Sequence, residues 1–204
     1  MAFDVVTLNS LLNEYSQENI KSFFENFSSL DKDVENFLKQ KAIQFEKIGL
    51  SRTTLVFTQY KNTEVLVGYF AISGKPLIVK KKDWNKLSSG VKRKLLPIGY
   101  KSERDNYVIN SILLGQFSKN NCYQSQQLIT GKELLSIAYA TIKKAWEVLG
   151  GTVLYLEARN EPHIQKFYTS CGFSQVLLRN GDISVKPYVT SNGYHLYLQK
   201  LSNI

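Results

Sequence analysis

Residues 110–158 constrain the fold more than any other stretch of the chain. NSILLGQFS (110–118) reads as an apolar strand with Gly115 as a bulge candidate, and TVLYLEA (152–158) reads as a second strand holding Glu157 near its end. Between them lies the clearest helical pattern in the sequence. Leu134, Leu135, Ala138, Ile142, Ala145, Trp146 and Leu149 recur at the 3.6-residue period, and Gly150–Gly151 stops the run. A strand–helix–strand unit makes its two strands a parallel pair, because the helix carries the chain back to the end where it started.

The remaining segments supply partners for that pair. Helical periodicity runs over residues 7–30, and Asp31 or Asp33 can cap a second helix whose Val34, Phe37, Leu38, Ala42 and Phe45 share a face up to Gly49. SRTTLVFTQY and EVLVGYFAIS read as strands, and the short Lys61–Asn62–Thr63 link predicts an antiparallel hairpin. Past Pro76 a basic stretch holds a helix around Leu87–Leu96, before Pro97. Pro162 opens a short helix through Ser170, and the strands SQVLLR and YHLYLQKL close the chain. The expected architecture is α/β (α+β): a mixed, mostly antiparallel sheet of about seven strands flanked by helices. It is read as one domain over 1–204, with a helical extension at about 1–30 and a basic insertion at about 76–107.

At 204 residues the chain can bury a full core. No run approaches the roughly 20 apolar residues of a membrane helix, and MAFDVVTLNS lacks the features of a signal peptide. The expected location is the cytoplasm, without membrane association. Two cysteines (Cys122, Cys171) and two histidines (His163, His195) support neither a disulfide framework nor metal-ligand spacing, so no metal is expected. The net charge of +9 is concentrated: nine basic residues stand between Lys80 and Arg104 against Asp83 and Glu103. Such a segment either attracts a polyanion or is a solvated insertion.

The start of the 131–149 helix, Thr130–Gly131–Lys132, offers free N–H groups, a positive dipole end and a lysine, which suits a pyrophosphate. Here the residues resemble those of GNAT N-acetyltransferases, whose phosphate loop has the form Q/R-x-x-G-x-G/A. Gln126, Gln127, Leu128, Ile129, Thr130 and Gly131 follow it, with Ile129 in place of the middle glycine. The strand through Leu114, Gln116, Phe117 and Ser118 resembles the family's bulged fourth strand. The resemblance implies acetyl-CoA as cofactor, with the pantetheine arm along Gln116, Phe117 and Ser118 and the phosphates at Gln126–Lys132.

TVLYLEARNEPHIQKFYTSCGF resembles the family's fifth strand and fourth helix through Phe167–Tyr168 and Gly172–Phe173. It implies that Tyr168 protonates the departing thiolate, a role suited to a phenol of pKa about 10. Without the resemblance, Tyr168 is a core residue on the apolar face it forms with Ile164, Phe167 and Cys171. Glu157 is either the base for the attacking amine, directly or through water, or a solvent-facing acid at a strand end. Gln116 stands where some relatives carry a glutamate base. Cys171 reads as packing rather than as an acetyl carrier.

Residues 34–57, ending in Ser51–Arg52–Thr53, resemble a passage in GNAT toxins that acetylate aminoacyl-tRNA and in uncharacterised Gram-positive GNAT proteins; Arg52 is then structural or substrate-facing. The resemblance covers about residues 34–75 and 108–201. It implies direct acetyl transfer to a primary amine of a small molecule, a protein or charged tRNA, with a homodimer as the assembly to look for. Two alternatives stay open. One is toxin-like acetylation of aminoacyl-tRNA, with Lys92, Arg93 and Lys94 on the RNA. The other is an inactive scaffold that binds CoA or a protein partner, a reading favoured by Ile129 and Gln116.

Overall fold

The computed structural model describes residues 2–95, 100–101, 105–180 and 184–204. Strand β1 (Asp4–Thr7) leads into helix α1 (Leu8–Glu14), which Thr7 caps by accepting the Ser10 N–H at 3.1 Å. Ser16 caps α2 (Gln17–Glu25) and Asp31 caps α3 (Lys32–Asn36) in the same way. A π-helical stretch, Phe37–Lys41, joins α3 to α4 (Ala42–Lys47). The helix closes through Gly49 at φ +74°, with the Leu50 N–H returning to Phe45 O at 2.9 Å.

Strands β2 (Arg52–Tyr60) and β3 (Thr63–Ser73) form the expected hairpin. Lys61 and Asn62 sit at φ 50° and 59°, the paired positive angles of a tight two-residue turn. Next come β4 (Leu77–Lys80), α5 (Lys81–Trp84), α6 (Ser89–Leu95), β5 (Tyr100–Lys101) and β6 (Asn106–Ile109). Strand β7 (Ser111–Lys119), helix α7 (Gly131–Leu149) and strand β8 (Val153–Ala158) make the crossover unit, followed by α8 (Pro162–Ser170). Strands β9 (Ser174–Gln175), β10 (Leu177–Asn180), β11 (Ser184–Pro187) and β12 (His195–Lys200) complete the chain.

The main sheet has seven strands in the order β1-β2-β3-β7-β8-β12-β9. The β7–β8 pair is parallel, as the crossover demands, while β1/β2, β2/β3, β8/β12 and β12/β9 are antiparallel. The parallel ladder covers Ser111–Leu113 opposite Val153–Tyr155, and its described pairs stop two residues before Gly115. β4, β6 and β5 form a separate three-stranded sheet, and β10 with β11 a two-stranded one.

Packing divides the chain into two compact units, Met1–Ser73 with Leu114–Thr141 and Gly74–Leu113 with Ile142–Ile204. The first buries Leu8, Ile20, Phe24, Phe27, Leu55 and Tyr69 under α1–α4. The Tyr69 hydroxyl donates to Val34 O, and burial pushes that phenol far above its ordinary pKa. The second buries Val79, Leu87, Ile109, Tyr155, Val176 and Leu198, with Trp84 stacked on Tyr107 at 4.1 Å.

Three sequence expectations need correction. Helical periodicity at 7–30 resolves into two helices broken at Tyr15–Ser16, and the preceding DVVT is a strand paired with Thr54–Phe57, too short to show a period. The helix expected around Leu87–Leu96 is α6, but the basic insertion also carries α5 and the strands of a three-stranded sheet, which the basic pattern hid; Leu87 forms a bridge with Leu178, and Leu96 and Pro97 lie outside the described residues. SQVLLR is two strands. β9 pairs with β12 and β10 with β11, because Val176 donates to Leu196 O while accepting from the Tyr188 N–H.

Asn120, 5% exposed at the end of β7, ties the first unit together. Its amide nitrogen donates to Asn26 O at 3.0 Å and Leu66 O at 2.8 Å, and its amide oxygen accepts from the Ser28 and Cys122 N–H groups, each at 3.1 Å. Asn120→Ala leaves four buried or half-buried backbone groups without partners. It should lower stability by about 3 kcal/mol, roughly 10 °C for a chain of this size, in thermal melts followed by circular dichroism.

Candidate functional site

In the first unit, β7 delivers the chain to a loop and then to the start of α7. Alternation along the strand puts Gln116 and Ser118 on one face and Phe117 on the other. Ser118 Oγ bonds Ser29 Oγ at 2.9 Å, which fixes that face against the segment between α2 and α3. The Gln116 side-chain oxygen is buried and has no hydrogen-bond partner among the described residues.

The loop turns at Gln127, a non-glycine residue held at φ +48°. Leu128 and Ile129 are each 4% exposed, so both side chains pack inward and Gln126 and Gln127 stay on the surface. Ile129 therefore turns its side chain away from the solvent side, where the family pattern keeps a glycine. It shares a recess with Val67, Asn120, Tyr123 and Leu128. Gly131 and Lys132 open the helix; as its first two residues, their N–H groups have no carbonyl one turn back.

Sequence reasoning missed Glu133. Its Oε2 accepts the Thr130 N–H at 2.8 Å and the Thr130 hydroxyl at 2.7 Å, while the Glu133 N–H donates to Thr130 Oγ1 at 3.2 Å. This is a reciprocal capping box, visible in the sequence as T-x-x-E. The Thr130 hydroxyl and N–H hold the carboxyl below its ordinary pKa. The helix mouth thus carries an internal anion beside the two N–H groups and exposed Lys132 that suit a pyrophosphate. The donors fit the phosphates; the Glu133 charge opposes them.

In the second unit, the Tyr168 ring lies 5.1 Å from Phe167, 5.5 Å from Phe173 and 5.8 Å from Tyr197, centroid to centroid. Tyr197 pairs with Leu156 and Leu196 with Glu157, and paired residues share a sheet face. Tyr168 therefore lies on the Leu156–Tyr197 face and Glu157 on the opposite one. Glu157 accepts the Thr190 hydroxyl at 3.0 Å; burial, with the Glu157 charge behind it, raises the Tyr155 phenol pKa, and burial, then Asp83, then Glu157 raise that of Tyr188. The two sequence-predicted catalytic side chains are not brought onto one face.

His195, 6% exposed on the Tyr197 face, has its Nδ1 2.7 Å from Gln175 Nε2, which also donates to Tyr197 Oη at 3.5 Å. A count of two histidines gave no hint of this buried chain. Arg52 donates from Nη1 to Glu46 Oε1 at 2.9 Å and Glu46 O at 3.1 Å. Buried Glu46 also takes the Thr53 N–H at 2.8 Å, so Arg52 neutralises a charge inside the fold while 62% of its side chain remains exposed.

On α6, Lys94 Nζ donates to Ser174 Oγ at 2.9 Å, whereas Lys92 and Arg93 donate to the backbone carbonyls of Asn85 and Ser89, at 3.5 and 3.4 Å. Arg104 lies outside the described residues. Among the described residues no group of three or more His, Cys, Asp or Glu is placed to hold a metal, and no helix is long and apolar enough to cross a membrane.

No family model matches the chain, and no curated protein does. Solved structures are similar over nearly its whole length. A tyrosine-to-phenylalanine mutant of KacT is 17% identical, covering 100% of this chain and 97% of that one, with a TM-score of 0.65. AtaT complexed with acetyl-methionyl-tRNAfMet is 18% identical over 99% and 96% of the two chains, with a TM-score of 0.65. A mutant AtaT toxin bound to the C-terminus of the antitoxin AtaR and acetyl-CoA is 17% identical over 98% and 94%, with a TM-score of 0.60. The seven-stranded mixed sheet and its flanking helices are the GNAT fold expected from the sequence.

Removing the Glu133 charge should move affinity and stability in opposite directions. Glu133→Gln is expected to bind acetyl-CoA tighter by about tenfold in calorimetry, since a like charge leaves the anion seat. The same change should lower the melting temperature at neutral pH. Because the folded carboxyl is the stronger acid, its stabilisation is complete above the ordinary carboxylate range and is lost as pH falls through it. The stability gap between the two proteins should therefore shrink on acidification.

Proposed function

We propose that this chain is an acetyl-CoA-dependent N-acetyltransferase that passes the acetyl group directly to a primary amine. The observation that carries the reading is the whole-length likeness to AtaT structures, one with acetyl-CoA and one with acetyl-methionyl-tRNAfMet. It is supported by the β7–loop–α7 unit, which leads from a strand into a helix start at Gly131. Bound acetyl-CoA supplies an activated thioester. The chain's part is to hold the pantetheine arm along Phe117 and Ser118, and the phosphates at Gly131 and Lys132 beneath Gln126–Thr130.

Tyr168 is the acid for the thiolate in this reading. Its aromatic surroundings suit a phenol that keeps its proton until the sulfur departs. Glu157, engaged with Thr190 on the other face, serves the amine only through water. The reading places the protein in the cytoplasm, with metal-free chemistry and a homodimer to be sought by sedimentation.

Calorimetry with acetyl-CoA tests the core of this reading: absence of binding at millimolar ligand ends it. Tyr168→Phe should lower kcat by about a hundredfold while leaving acetyl-CoA affinity unchanged. An equal loss of both would make Tyr168 a packing residue.

A second reading, with charged tRNA as acceptor, is favoured by the AtaT–tRNA complex and by Lys92 and Arg93, whose side chains meet no acid in the described structure. Replacing Lys92, Arg93 and Lys94 with glutamate should weaken acetylation of methionyl-tRNA by at least tenfold and flatten its salt dependence. Unchanged turnover of methionyl-tRNA would remove RNA from the role of α6.

A further inference from the structure

The face of β12 that meets Tyr168 is polar, although it is as deeply buried as the apolar face behind it. His195, Tyr197 and Gln199 stand in a row on it at 6%, 0% and 7% exposure, while Leu196 and Leu198 occupy the opposite face. Polar side chains at that depth destabilise a fold unless something bonds them. For two of the three, β9 does so. Gln175 is the register partner of Tyr197, and its Nε2 lies 2.7 Å from His195 Nδ1 and 3.5 Å from Tyr197 Oη. An amide nitrogen only donates, so Nδ1 accepts, and a neutral His195 carries its ring proton on Nε2. The two N–H groups of the amide thus meet two acceptors, and the side chain cannot swing without breaking a bond.

We propose that Gln175 is a positioning residue for the acid Tyr168: its amide, anchored on His195, fixes the Tyr197 ring against which Tyr168 packs. The inference rests on the acetyl-transfer reading and deepens it. Phe167 and Phe173 flank the Tyr168 ring at 5.1 and 5.5 Å, but a phenylalanine has no polar group to fix its own rotation. Tyr197, at 5.8 Å, is the flanking ring with a directional bond at its tip. An apolar residue at 175 would fill similar space and leave that ring set by packing alone. No proton passes through Gln175. Tyr168 Oη gives its proton to the departing sulfur and regains one from water, and the bridge governs only where that hydroxyl points.

The test compares wild type with Gln175→Leu and Gln175→Glu. The chain has two histidines and His163 is exposed, so ring-nitrogen NMR separates the buried His195 directly. Wild type should carry the His195 proton on Nε2, and Gln175→Glu, whose oxygens only accept, should bring a proton to Nδ1. Thiol release from acetyl-CoA, with water or methionyl-tRNA as acceptor, reads the effect on Tyr168. Gln175→Leu should lower kcat about tenfold at unchanged KM for acetyl-CoA, and Gln175→Glu, which still bridges, should keep most of it. In a Tyr168→Phe background Gln175→Leu should cost nothing further, because both act through one hydroxyl. If Gln175→Leu does not fold, Gln175→Asn, too short to bridge, takes its place with the same expectations. A wild-type proton on Nδ1, an unchanged kcat in the bridge-breaking variant, or the same loss repeated in the Tyr168→Phe background overturns the proposal and leaves the acetyltransferase reading intact. A wild type that neither binds acetyl-CoA nor releases its thiol defeats that reading and this proposal with it.

Discussion

The first unit depends on one amide. Asn120 follows directly on β7, and its four hydrogen bonds join the end of α2, the following turn, β3 and the loop that leads to α7. Two backbone bonds reinforce it, Asn120 N–H to Val67 O at 2.7 Å and Asn121 N–H to Ser28 O at 2.8 Å. A side chain that uses both donors and an oxygen with two lone pairs specifies one geometry, because any shift breaks several bonds at once. The strand end, the 26–31 segment and the loop therefore move as one piece. Gln116 and Ser118 inherit their placement from that piece, as does the turn at Gln127.

At the next step along the chain the demands of folding and of anion binding diverge. A helix start needs its first N–H groups satisfied, and the Thr130–Glu133 box does this internally. A phosphate site needs the same groups left free. Here Thr130 and Glu133 satisfy each other, and the proposed reading gives the Gly131 and Lys132 N–H groups to the phosphates. Ile129 reaches a similar compromise: its side chain fills the interior, so the absent glycine costs the loop no exposed bulk.

How much could be read in advance follows from length and period. Helix α7 and strand β8 were legible almost to the residue, since nineteen residues at one period and an unbroken apolar run admit few alternatives. β4, β5, β6 and β11 were not, because strands of two to four residues are set by partners far away in sequence and carry no period of their own. Arg52 could be singled out as a residue, yet its role came from Glu46 six positions earlier, a buried acid in a helix that periodicity treats as a polar position. Glu133 is legible in the sequence as the T-x-x-E capping signature, which overlaps the glycine of the loop pattern at Gly131.

The separation of Tyr168 from Glu157 bears on how a transferase of this fold could work. Groups on opposite faces of one sheet do not share a proton or a hydrogen bond, so Tyr168 and Glu157 cannot run as an acid–base dyad. The tyrosine ring sits among Phe167, Phe173 and Tyr197. The glutamate is engaged by Thr190 in a polar contact at the rim of the other core. In the proposed reading Gln116 cannot accept a proton and Glu157 is engaged by Thr190, so neither acts as a strong base. The amine must then arrive neutral or lose its proton to water, and rate would come from positioning the thioester rather than from proton abstraction. In that reading the rate depends on how β7 holds the thioester around Phe117 and Ser118.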